Sequence, residues 1–133
     1  MFGLGKKKDK KQKPESKEES LVLTEERKKE LAQIISQKAQ LLDQAAFDDQ
    51  AKIHEEIGLA LFELGEDNQA IDSLEKSIEL KKSIGSGYKT LLKLYNRKRA
   101  EAAREKDSAS LQMYLTKMDH MMQVSKDVTR GVR

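Results

Sequence analysis

The chain has 133 residues with one Pro, no Cys and 37% charged side chains, which suits one modest helical domain and excludes a disulfide framework or thiolate chemistry. Its net charge of +3 is uneven. Seven Lys against Asp9, Glu15 and Glu18 make residues 1–18 net +4, so the other residues together carry −1 and the basic pI says little about the domain.

Residues 1–20 are poor in apolar side chains and rich in Lys, Glu and Ser, a composition that predicts a disordered tail. Met1, Phe2 and Leu4 ahead of Lys6, Lys7, Lys8, Lys10, Lys11 and Lys13 form an apolar tip on a polybasic stretch. Such a tail solubilises, or makes weak contact with an anionic membrane at about 1 kcal/mol per Lys near the surface. Phe2 stands where myristoylation needs Gly, and no apolar run has the length of a secretory core or a membrane span.

The domain is expected over residues 22–129 and is all-α. Thr24 can cap a first helix, with Glu25 and Glu26 complementing the dipole of its first turn. Leu31, Ile34, Ile35, Leu41, Leu42, Ala45 and Ala46 extend its apolar face to about residue 46, with Phe47-Asp48-Asp49 as the joint that follows. Residues 51–82 then read as two amphipathic helices. Ile53, Ile57, Ala60, Leu61 and Leu64 share one face, Gly65 marks a left-handed stop, and Asp67 or Asn68 is placed to cap the next helix. Ala70, Ile71, Leu74 and Ile78 form the buried stripe of that helix.

Within this hairpin His54-x2-Ile57-Gly58-x2-Leu61, followed by Ala70-x3-Leu74, resembles the tetratricopeptide repeat pattern, in which small residues let two antiparallel helices cross closely. His54, Leu61 and Lys82 stand where the family has a large aromatic, Tyr and Pro. Moving on by about 34 residues, Tyr88-x2-Leu91-Leu92-x2-Tyr95 resembles the opening helix of a second, degenerate repeat at 85–118, whose Ala109-x3-Met113 pair arrives late. The first helix is then a cap on the hairpin stack. The resemblance implies a superhelix fragment of antiparallel hairpins and a non-catalytic adapter role in protein binding.

Between the hairpins, 83–87 (SIGSG) reads as a turn, and the helix from about Tyr88 to Lys106 becomes strongly charged in its second half. Asp107 or Ser108 can cap the last helix, whose Met113, Met118, Met121 and Met122 suit a core or a homodimer face ahead of the alternative, a groove for a partner peptide.

No catalytic, metal or cofactor pattern is present. The two histidines, His54 and His120, lack metal-ligand spacing, and Glu55-Glu56 and Asp48-Asp49 read as solvated pairs. The resemblance places the first helix of each hairpin on an inner face. That face offers Glu55, Leu59 and Phe62 from one helix and Lys89, Lys93, Asn96 and Arg97 from the other. Lys89, Lys93 and Arg97 recur every four residues, so they form one basic ridge for an acidic peptide or partner protein. The competing reading makes Glu55, Glu56 and Glu63 the ridge's ion-pair partners. The expected location is cytoplasmic, with peripheral contact at the inner membrane surface through the tail. The alternative function is a membrane- or nucleic-acid-associated protein working through the Lys-rich tail, with the helices as spacer or dimeriser; nucleic acid is the less favoured of the two.

Overall fold

Thr24 opens the first helix as its sequence suggests: its Oγ1 accepts from the Arg27 N–H at 3.0 Å, satisfying one of the open donors of the first turn. The computed structural model describes residues 23–131, which form five helices: α1 (Glu25–Leu42), α2 (Phe47–Leu64), α3 (Asp67–Leu80), α4 (Ser86–Arg104) and α5 (Ser108–Arg130). The Lys-rich stretch Lys6–Lys13 and its membrane reading lie outside the described residues. Among the described residues no helix is long and apolar enough to cross a membrane.

The bounds of α1, α2 and α4 differ from the sequence reading; α4 runs Ser86–Arg104, so Ser86 and Gly87 open that helix instead of ending the turn. The first helix stops at Leu42 rather than near residue 46, and Phe47-Asp48-Asp49 is the first turn of α2 rather than a joint. The joint is residues 43–46, where Gln44 and Ala45 donate back to the carbonyls of Leu41 and Leu42. Asp48 and Asp49 then supply the negative charge an N-terminus favours, since Ala46 offers no side-chain cap. At the start of α3 the N-cap is Glu66 without a side-chain bond, and Asp67 turns its carboxylate to Arg97 instead of capping.

The stops follow backbone chemistry. Gly65, at φ 85°, ends α2 with Gly65 N–H on Phe62 O and Glu66 N–H on Leu61 O, the paired closure of a left-handed C-terminus. The end of α4 closes the same way with Lys106 at φ 59°, a strained conformation for a residue with a Cβ. Asp107 then caps α5 by accepting from Ser110 N–H, and these bonds hold its carboxyl below the usual range.

The helices pack as successive antiparallel neighbours. Arg27 and Lys38 of α1 pair with Glu63 and Glu56 of α2, which fixes the direction of α1 across it. Between α2 and α3, the Ser77 hydroxyl donates to Ala51 O at 2.7 Å, and the nearest atoms to Gly58 belong to Leu74. Gly58 thus meets Leu74, one turn beyond fully buried Ala70. The core joins Ile53, Ile57 and Leu61 of α2 to Ile71, Leu74 and Ile78 of α3, then continues through Leu91, Leu94 and Tyr95 of α4 to Met121 and Val124 of α5. The result is two helical hairpins, α2–α3 and α4–α5, with α1 laid on α2.

The two hairpins also stack. α2 touches α4 side by side and parallel, with Phe62 beneath Lys93 and Arg97 and Glu55 beside Gly87, residues 31, 35 and 32 apart. Their second helices are related by a longer step: Glu75 meets Lys117 and Lys82 meets Asp127, 42 and 45 residues on. The extra residues lengthen α4, which has 19 residues, and delay α5, which has 23, against 18 and 14 for the first pair.

Candidate functional site

Each side of α2 has its own duty. Glu56 and Glu63 face α1, while Ile57, Gly58 and Leu61 serve the hairpin with α3. What remains is the strip carrying Glu55, Leu59 and Phe62, next to α4. Glu56 and Glu63 are therefore taken by α1, not by the basic ridge. Two bonds from Arg27, at 2.7 and 2.9 Å, hold the Glu63 carboxyl below its ordinary value.

The centre of the strip is the Phe62 ring. Lys93 Nζ and Arg97 Cζ each lie 5.7 Å from its centroid, so two cations one turn apart share one aromatic ring. Arg97 is oriented further by Asp67, whose Oδ2 accepts from Nη1 at 2.7 Å. Leu59 is half-buried against the core, one turn back along α2, and Lys89 is exposed one turn before Lys93. The structure thus brings Leu59, Phe62, Lys89, Lys93 and Arg97 onto one side.

The other two expected residues have internal partners. Asn96 Oδ1 accepts from Arg99 Nε and Nη2, at 3.1 and 2.9 Å. Glu55 Oε2 accepts from Gly87 N–H at 2.8 Å, capping the N-terminus of α4 from the neighbouring hairpin, where Gly85 supplies no side chain. A Cβ on Gly87 would stand 2.7 Å from that oxygen, so the missing side chain lets the carboxylate approach. Sequence reasoning missed Asp67 as the holder of Arg97 because a helix-start Asp reads first as a cap.

On the opposite side, Tyr95 and Lys117 both donate to Glu75 Oε2, tying α4 and α5 to α3. Burial, then the Glu75 carboxylate, push the Tyr95 phenol above its ordinary value of 10.0. A cavity of about 200 Å³ opens beside this network, lined by Glu75, Glu79, Tyr95, Lys117 and His120 among others. A larger one of about 630 Å³ lies between Asp48, Lys81 and Val128, away from Phe62, and its walls mix both charges. Burial, then the charge of Lys76, hold the His54 imidazole below its ordinary value of 6.5. Among the described residues no three His, Asp or Glu side chains gather as a metal site. The Phe62 strip is an open face, suited to an extended partner more than to an enclosed small molecule.

Compared with known proteins, the chain matches no family model, no curated protein and no solved structure.

Proposed function

We propose that the chain is a non-catalytic protein-interaction domain of the tetratricopeptide type that receives an acidic segment of a partner protein on its α2–α4 face. The observation that carries this reading is the pair of cations, Lys93 and Arg97, each 5.7 Å from the Phe62 centroid. The ring takes up one side of each cation and leaves outward N–H donors for carboxylates, while Asp67 and Phe62 fix the geometry beforehand. Leu59 and Phe62 add apolar contact, so an acidic segment with an aliphatic or aromatic residue fits better than a purely charged one. Stacked hairpins with parallel first helices, the register near the family's repeat length, and a covering α1 all support the assignment.

The test is fluorescence anisotropy on the full chain with labelled acidic-apolar, acidic-polar, neutral and basic peptides. The reading expects the acidic-apolar class to bind best, with affinity falling as salt rises. The K89E/K93E double variant should lose about tenfold or more in affinity, which is about 1.4 kcal/mol. Lys89 and Lys93 are exposed, so stability should fall by no more than about 0.5–1 kcal/mol, the worth of the exposed Lys93–Phe62 contact. Equal binding of all four classes, or none by any, counts against the proposal.

A further inference from the structure

α5 carries more apolar surface than its own domain covers. Met121 and Val124 are buried in the core, and Tyr88 donates its O–H to the Met121 carbonyl. A second stripe, Leu111, Leu115, Met118 and Met122, lies about 120° round the helix at 100° per residue. Met122 is 58% and Leu115 41% exposed; Leu111 and Met118 are half-buried. We infer that this stripe is an antiparallel interface with a second copy of the chain.

Spacing and charge both select that occupant. The stripe's steps of four, three and four residues read the same from either end. A second α5 running the opposite way therefore sets Leu111 level with Met122 and Leu115 level with Met118, in four layers related by a two-fold axis. Asp107 lies four residues before the stripe and Lys126 four after it, so both ends set an acid level with a base. In the same register Asp119 is level with Tyr114, an uncharged side chain. A parallel pair would instead align Asp107 with Asp107, Asp119 with Asp119 and Lys126 with Lys126, like charges at three levels. The strip is small, about 17 Å long at 1.5 Å per residue, and narrow beside the roughly 800 Å² per partner of a standard stable interface. The dimer is accordingly reversible and forms at high concentration. It uses a face separate from Phe62, so its success or failure is independent of peptide binding.

The absence of Cys makes the test direct. Full-length Leu111→Cys and Met122→Cys are prepared separately and treated with a short bismaleimide, alone and as an equimolar mixture. The antiparallel pair gives a cross-linked dimer in the mixture and little in either protein alone, because only Leu111 and Met122 are level. Sedimentation of wild type from about 5 μM to about 1 mM should show the mass rising from 15.2 kDa towards twice that value. L115E/M122E should lose that rise while keeping wild-type helicity. Cross-linking of each variant with itself but not in the mixture, wild type monomeric throughout, or an unchanged rise in L115E/M122E would each overturn the inference.

Discussion

Replacing Gly58 by Ala adds one methyl group where α2 and α3 come closest. An ideal Cβ there stands 2.6 and 2.7 Å from Leu74 Cγ and Cδ2, and 3.3 Å from the Leu74 backbone nitrogen. Leu74 has no exposed surface, so its side chain has no open space to turn into. Overpacking of this kind costs about 1–3 kcal/mol, while removing a helix-interior glycine returns about 1 kcal/mol. The net expectation is a loss of about 1 kcal/mol, or roughly 4–8 °C in Tm for a domain of this size. Urea and thermal unfolding followed by circular dichroism measure it. A Leu74→Ala background gives the control: there the same Gly58→Ala change should be neutral or stabilising, a coupling of about 0.5–3 kcal/mol. If Gly58→Ala stabilises the otherwise native chain by about 1 kcal/mol, as at an open helix surface, the close crossing is refuted.

Removing the Glu55 carboxylate (Glu55→Ala) should lower stability by about 1 kcal/mol through loss of the cap on Gly87 N–H, with amide exchange at the start of α4 rising most. Lys106→Gly relieves the positive φ at the end of α4 and should stabilise by up to about 1 kcal/mol; destabilisation in urea melts would contradict the strained turn. His54 titrates below 6.5 when folded, so the unfolded chain binds more protons as pH falls through that value. Its contribution is therefore intact above 6.5 and declines below it, and His54→Gln should flatten that part of the stability profile. An NMR-measured His54 value at or above 6.5 would remove the effect.

Much of this architecture is written in local pattern. The stripe of Ile53, Ile57 and Leu61, the stop at Gly65 and the cap at Thr24 each depend on neighbours within two turns, and each appears where the sequence places it. The α1–α2 joint was illegible for the same reason. Ala45 and Ala46 prolong the apolar pattern past Leu42 with no Gly or Pro to break it, and Asp48-Asp49 serves a loop or a first turn equally well. At the candidate face the i, i+4, i+8 ridge was visible, whereas its internal partners were not. Asp67 reaches Arg97 across 30 residues and Glu55 reaches Gly87 across 32, contacts that exist only once the hairpins stack.

The central claim is that the cations around Phe62 form the working surface, and NMR of the isotopically labelled full chain tests it most directly. Titration with the tightest acidic-apolar peptide should move the signals of Leu59, Phe62, Lys89, Lys93 and Arg97, and in K89E/K93E the shifts of Leu59, Phe62 and Arg97 should need about tenfold more peptide. Shifts centred instead on the Glu75–Lys117 side or on the outer stripe of α5, with Phe62 unmoved, would contradict the account.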